Sequence, residues 1–383
     1  MAEAESNSKP LIFRWGIIST GAIAAAFAKD MQVDPKTRNI HDIIHKVTVV
    51  GSRDVSTAKK FVDTYFGDDN NVNDGSGKPK AYGSYQEVYE DPEVDAVYIG
   101  TPHTSHYTCA LHAFTSKTPK HVLLEKPITT NAAELRSLIQ KAKENNVFLM
   151  EAMWTRFQPL VMEVKAINES GDLGRPVALQ ADLSGDFDIE NIPVTHRILD
   201  PHLGGGALLD LGPYPLVWAI IALYEHPLND LKTPTVTGSM LKTPITGVDS
   251  NTSFTLNFFQ SKIVAQAVLS CNINVDATDP GVTIRYEKGE IRIRKPIYCP
   301  KEFEVEYREK GKVMKVVKRR FEYVGGGWHF QADEVARCVR DGKLDSDTWS
   351  HQKSLLEMEI FDEVRRQCSY GLPPGVEKVV EAE

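Results

Sequence analysis

Hydrophobic positions in the first 150 residues follow two rhythms that take turns. Residues 13–19 (F-R-W-G-I-I-S) form a short apolar run entering a glycine turn, and Ile23, Phe27 and Met31 then recur every four positions. The first pattern predicts a strand and the second a helix. The strand pattern returns at residues 46–51, 95–100, 121–125 and 147–151, and the helical pattern at 56–65, 106–115 and 131–144. Ser84 and Glu87 have the spacing of a capping box, which opens another helix. Strands separated by helices predict a parallel sheet covered on both faces, with ligands bound beyond the carboxyl ends of its strands.

From about residue 233 to 323 the rhythm changes to strand after strand. Phe254, Leu256 and Phe258 alternate with polar residues, and strands are predicted at 252–258, 263–269, 282–286, 290–294, 303–307 and 313–321. Lys288-Gly289 and Lys310-Gly311 mark turns between them. This predicts one large, open, mostly antiparallel sheet. Helices at 160–171 and 209–223 would cover one face of it, and two late helices, at 330–341 and 350–368, finish the chain. The uncovered face must then be solvated or lie against a second subunit.

A length of 383 residues implies two domains. A hydrophobic share of 42% with 25% charged residues excludes a disordered, collagenous or disulfide-scaffold chain. The net charge of 44 minus 52, or −8, and the lack of a basic block argue against a general nucleic-acid binder. No apolar run reaches the roughly 18 residues that a membrane helix needs. The first ten residues are polar and acidic without a signal pattern, so residues 1–11 read as a disordered leader. Five scattered cysteines without a Cys-x-x-Cys pattern point to reduced thiols in a cytoplasmic protein.

The turn after the first strand carries the first candidate chemistry. Ser19, Gly21 and Ala24 fill the three positions of a Gly-x-Gly-x-x-Gly pattern between a strand and a helix. A dinucleotide pyrophosphate sits at such a helix start, held by backbone amides, so Ser19, Thr20, Gly21, Ala22 and Ile23 are candidate cofactor contacts. The alternative is a tight turn with no ligand. The second strand ends Gly51-Ser52-Arg53, with no acid at the first position to accept from ribose hydroxyls. Ser52 and Arg53 suit a 2′-phosphate and hence NADP, unless Arg53 is a solvated loop charge; Asp54, just beyond, would still reach a ribose. The fold class is therefore α/β: an N-terminal Rossmann dinucleotide-binding domain at 12–153 and a C-terminal α+β domain with the open sheet at 154–383. A late helix packing back on the first domain is compatible with this division.

Three further motifs stand at strand ends: Thr101-Pro102-His103, Glu125-Lys126-Pro127 and Trp154-Thr155-Arg156. His103-x-x-His106 offers only two ligands, so no metal is expected there. With the Gly21 turn, Glu151-Ala-Met-Trp-Thr-Arg156 and Gly204-Gly-Gly-Ala-Leu-Leu-Asp210-Leu-Gly-Pro-Tyr214, these motifs resemble the Gfo/Idh/MocA oxidoreductases over nearly the whole chain. Tyr214, where many members carry histidine, is similar to the branch of fungal NADP-dependent D-xylose dehydrogenases and dimeric dihydrodiol dehydrogenases. The segment from Thr195 to His202 is closer to the fungal enzymes.

The resemblance implies an NADP-dependent oxidation of an aldose, D-xylose first, at C1 to the lactone. It places Lys126 beside Tyr214, with Tyr214 as acid/base, Lys126 lowering its pKa and Asp210 orienting it or the substrate. A phenol with an ordinary pKa near 10 needs such a cation to act as a base at neutral pH. Thr101, Pro102, His103, His106, Glu125, Lys126, Trp154 and Arg156 are implied cofactor contacts. Lys126, Arg197, Asp210 and Tyr214 are expected substrate contacts; Trp154 and Phe187 offer flat surfaces for a sugar ring or an aromatic diol, unless they pack in the core. Asp186, Asp188 and Glu190 read as a solvated acidic loop. A homodimer through the open sheet face is a further implication, with no nucleic-acid or membrane partner. Competing readings are a trans-1,2-dihydrodiol dehydrogenase, a tightly held cofactor with sugar–sugar exchange, and a non-catalytic nucleotide-sensing regulator.

Overall fold

The structure, a computed structural model, describes residues 9–67 and 77–380. Residues 1–8 of the expected leader lie outside the described residues, and its end is corrected: Leu11 already pairs with Ile43 in the first strand. That strand gains the residue because Leu11 donates its N–H to the Asp42 carbonyl and packs against the core.

The first domain runs β1 (Leu11–Ile18), α1 (Ala22–Asp30), β2 (Ile43–Gly51), α2 (Val55–Tyr65), β3 (Lys80–Tyr82), α3 (Tyr85–Glu90), β4 (Ala96–Ile99), α4 (His106–Thr115), β5 (His121–Leu124), α5 (Ala132–Glu144) and β6 (Leu149–Glu151). Its six strands are all parallel, in the order β3-β2-β1-β4-β5-β6. The order reverses between β1 and β4, which opens a crevice at their carboxyl ends. Local signals set the element starts. Ser84 Oγ accepts from Glu87 N–H at the head of α3, Asn131 from Glu134 N–H at α5, and Asp54 from Thr57 N–H at α2. β3 is only three residues long, too short to show a period.

The second domain continues with α6 (Pro159–Glu169), β7 (Pro176–Ser184), α7 (Ala207–Leu211), α8 (Pro213–Ala219), β8 (Thr235–Lys242), β9 (Asp249–Phe258), β10 (Ala265–Asn272), β11 (Val282–Tyr286), β12 (Gly289–Ile293), β13 (Glu302–Glu309), β14 (Lys312–Arg320), α9 (His329–Arg340) and α10 (His351–Gln367). Its eight strands are ordered β14-β13-β12-β11-β7-β10-β9-β8. The unforeseen β7 sits in the middle and pairs parallel with β10, whereas every other pair is antiparallel. Leu179, Ala181 and Leu183 of β7 face the core, where α7 and α8 lie against β7, β9 and β10. The other sheet face carries Gln180, Gln266, Thr255 and Ser253, and no helix among the described residues covers it.

One sequence expectation needs revision. The stretch Pro201–Tyr224 is long and apolar enough by composition to cross a membrane. It is instead spent in the core, with 94% of its apolar window buried inside the protein. Helix α10 runs between the domains, packing on β8 on one side and on α5 and β6 on the other. Gly238 of β8 lets it approach, since a Cβ there would stand 2.9 Å from Val364 Cγ1.

Candidate active site

The turn Ser19–Ile23 joins β1 to α1 at the reversal of strand order. Ser19 has φ 95°, its N–H reaches Gly51 O of the neighbouring strand, and its Oγ accepts from Gly21 N–H. Gly21 caps α1 with no side-chain bond, and its φ of −75° suits any residue. A Cβ on Gly21 would meet nothing closer than Ser19 Oγ at 3.6 Å, so the chain's own packing does not require glycine. What the missing Cβ leaves open is access to the amides that start α1, the donors that a pyrophosphate needs. At the end of β2, Arg53 is exposed and has no ion pair among the described residues. Asp54 is spent as the cap of α2. Ser56 Oγ, Thr57 N–H and Thr57 Oγ all donate to its carboxylate, holding its pKa down at about 2. That leaves Ser52 and Arg53, and not Asp54, to meet the adenosine ribose, as a 2′-phosphorylated dinucleotide requires. The residues present therefore fit NADP.

Lys126 follows β5 in a loop that faces the second domain. Its Nζ donates to Asp210 O at 2.6 Å, stands 3.4 Å from Asp210 Oδ1 and lies 5.0 Å from the centre of the Tyr214 ring. The far side of this contact is built by three glycines. A Cβ on Gly205 would press on three carbonyl oxygens, and one on Gly206 would stand 2.0 Å from Asp249 Oδ1. Asp249 in turn accepts from Leu208 N–H and Thr252 Oγ, fixing the start of α7 and with it Asp210. Pro213 opens α8 one residue before Tyr214. Asp210 and Tyr214, both buried, are thereby presented to Lys126 although the chain separates Lys126 from Tyr214 by 88 positions, 214 minus 126.

Electrostatics at this junction are dominated by burial and by one carboxylate. Burial alone would raise Asp210, but Lys126, Arg197 at 2.8 Å and His103 pull it far below the usual carboxylate range. His103 bridges the domains, with Nδ1 3.3 Å from Gly204 O and Nε2 3.7 Å from Asp210 Oδ1; burial takes its pKa down to about 3, so it is neutral. Lys126 is raised above its ordinary value: burial lowers it, and Tyr214, Asp210 and Glu125 together outweigh burial. Tyr214 receives a hydrogen bond from Trp154 Nε1 at 3.1 Å. Its pKa corrects the sequence expectation. Burial pushes the phenol up to about 12, and Lys126, although it pulls the other way, does not overcome burial. With the protein's groups alone, the pair at neutral pH is an ammonium beside a protonated phenol.

Several sequence-derived assignments fall elsewhere. Trp154, Thr155 and Arg156 lie in one tight turn, so their side chains diverge. Trp154 meets Tyr214, Thr155 donates to Tyr298 O, and Arg156 points away to a buried cluster where Glu225 binds Arg156, Lys165 and Lys353. Arg156 is thus a structural ion-pair residue and not a cofactor contact. His106 has no exposed surface, and its ring nitrogens face Thr101 O and Pro127 O at 2.9 Å each. Burial takes its pKa down to about 4 against the pull of the two carbonyls, so it ties two site loops together without reaching a ligand. The Glu125 side chain turns inward, accepting from Tyr98 OH at 2.6 Å and from its own loop at Lys126 N–H; burial raises its pKa to about 7. Thr101 is buried and Pro102 exposed at the start of the turn carrying His103. Arg197 is half exposed at the rim, on Asp210. Phe187, in the loop after β7, is half buried, with its ring over Gly185. Asp186, Asp188 and Glu190 are exposed. Among the described residues, no group of three His, Cys, Asp or Glu side chains has a metal-holding arrangement.

Three site neighbours escaped the sequence reading. Trp328 stacks on Trp154 at 4.2 Å, and the Tyr298 ring is 5.4 Å from that of Tyr214, so the phenol is walled by aromatic faces. Asp249 sets α7. The triple glycine before Trp328 was the one available signal; Tyr298 and Asp249 stand in the strand-rich region without any.

A dinucleotide-binding oxidoreductase is the class that this crevice and this buried phenol beside an ammonium define. The chain belongs to the GFO/IDH/MocA oxidoreductase family. Residues 13–153 match that family's NAD-binding Rossmann fold, and residues 161–292 match the GFO/IDH/MocA C-terminal domain. The D-xylose 1-dehydrogenase (NADP(+)) of Hypocrea jecorina is 36% identical, over 96% of this chain and 95% of its own length. The trans-1,2-dihydrobenzene-1,2-diol dehydrogenase of Danio rerio is 31% identical, over 93% of this chain and 97% of its own. Among solved structures, the aldose-aldose oxidoreductase from Caulobacter crescentus shares the fold, with a TM-score of 0.75 over 94% of this chain and 98% of its own, at 18% identity.

Proposed function

We propose that the protein is an NADP-dependent dehydrogenase that oxidises an aldose, D-xylose first, at C1 to the aldonolactone. The observation that carries the reading is the meeting of Lys126 from one domain with Tyr214 from the other, the Lys126 ammonium held by Asp210 and 5.0 Å from the centre of the buried Tyr214 ring. The exposed Arg53 and the occupied Asp54 support NADP over NAD, and the name of the 36% identical fungal relative supports the sugar.

Bound NADP⁺ would accept the hydride from C1. The chain's own groups handle the rest. Lys126 Nζ donates to the reacting oxygen, Asp210 holds that ammonium in place, and Tyr214 Oη takes the hydroxyl proton. Aldose and NADP⁺ thus give lactone, NADPH and a proton. Tyr214 must be a phenolate to act as a base. With its pKa near 12, the phenolate fraction rises about tenfold per pH unit below that value. Oxidation is therefore favoured at alkaline pH, and the reverse reduction near neutrality, where the phenol is ready to donate.

A second reading has its own support: the aromatic walls of Trp154, Trp328 and Tyr298 suit an aryl diol, the substrate class in the name of the 31% identical relative. Initial rates with NADP⁺ and NAD⁺ over pentoses, hexoses and trans-1,2-dihydrobenzene-1,2-diol separate the two. The aldose reading expects the higher kcat/KM for D-xylose with NADP⁺; a large preference for the diol rejects it.

A further inference from the structure

Two buried glutamates face each other where the domains meet, and the mechanism above uses neither. Glu151 ends β6, is 1% exposed, and accepts from three donors: Ile128 N–H at 3.0 Å, Trp349 Nε1–H at 2.9 Å and Ser354 Oγ–H at 2.6 Å. Glu357, on α10, is fully buried, and among the described donors neither of its oxygens finds one. Its carboxyl lies against that of Glu151. Two buried acceptors side by side need a proton between them, since two carboxylates this deeply buried would repel each other at close range. The donors around each group say where that proton resides. Glu151 is already surrounded by N–H and O–H groups and is the acceptor; Glu357, with none, is the donor.

The pair is fastened to the catalytic lysine. Glu151 holds Ile128 N–H, two residues after Lys126. The neighbouring carbonyl of Pro127 is 2.9 Å from His106 Nδ1, Arg365 of α10 donates to Thr130 O at 2.8 Å, and Asn131 Nδ2 donates to Glu377 and to Val379 O. The loop bearing Lys126 belongs to the first domain, yet most of these fastenings come from α10 and the segment after it. We infer that Glu357 is a protonated positioning residue that shares its proton with Glu151, and that through this pair helix α10 sets where the Lys126 ammonium stands against Tyr214. The inference rests on the role given to Lys126 above.

Two isosteric variants and one control test it on the full chain. In Glu357→Gln an amide N–H replaces the carboxyl proton, so kcat, its pH profile and the melting temperature stay within about twofold and a few degrees of wild type. In Glu151→Gln the amide NH₂ must face a donor, either Ile128 N–H or Trp349 Nε1–H. Its kcat falls on the order of 10- to 100-fold, as expected for a reacting group displaced by a fraction of an ångström to an ångström. The limb of its profile that rises with pH moves to higher pH in the direction given by Lys126→Met, while NADP⁺ affinity, read by fluorescence titration, is unchanged. Equal damage from both glutamine variants overturns the proton assignment. A Glu151→Gln enzyme with wild-type kcat and pH profile overturns the positioning role. If Lys126→Met turns over like wild type, the parent reading fails and the inference falls with it; a damaged Lys126→Met beside an unaffected Glu151→Gln overturns the inference alone.

Discussion

Arg53 and Asp54 are neighbours with opposite employment. Asp54 caps α2 and is saturated by three donors, whereas Arg53 is exposed beside the dinucleotide turn, without an ion pair among the described residues. Arg53→Ala should raise KM for NADP⁺ by roughly 10- to 100-fold, the loss of a hydrogen bond to a charged group worth about 1.5–3 kcal/mol. KM for NAD⁺ should barely move. Initial-rate measurements with both dinucleotides check this, and equal losses with the two would contradict it. At this scale residue type was legible and employment was not. The sequence showed an acid at 54, but whether it faces ribose or its own helix depends on the turn around it. It showed Arg156 beside Trp154, but a tight turn sends the one to Glu225 and the other to Tyr214.

At the scale of elements, the piece that presents Asp210 and Tyr214 is built on a backbone that few residues tolerate. Gly206 has φ 110°, and a Cβ there would collide with the carboxylate that caps α7. Gly206→Ala should therefore destabilise the protein by at least about 2 kcal/mol, combining backbone strain with displacement of a buried cap. Gly204→Ala, where the nearest atoms would be 3.4 Å away, should cost less. Thermal melts of both variants test the order; equal melting temperatures would refute it. Strands and helices with clear periods were legible from the chain, as was the cap Ser84. β3 was too short to carry a period. β7 was hidden by position, because nothing local tells that nine residues between two helical stretches fill the centre of a distant sheet.

At the scale of the molecule, the site exists only where the domains meet. Lys126 and His103 come from the first, Asp210, Tyr214 and Arg197 from the second, and α10 pins one to the other. Motif resemblance brought Lys126 and Tyr214 together; the balance between burial and the nearby ammonium needed the packed structure, because burial is a property of everything around the phenol. The pH dependence of kcat/KM for the oxidation, in wild type, Lys126→Met and Tyr214→Phe, tests the central claim most directly. The account predicts a wild-type rate rising about tenfold per unit on its acidic side, a slower Lys126→Met with the same limb displaced to higher pH, and a Tyr214→Phe that loses roughly 10²–10⁴ in rate and its limb while still binding NADP⁺. A Tyr214→Phe enzyme that keeps the wild-type rate and slope would contradict it.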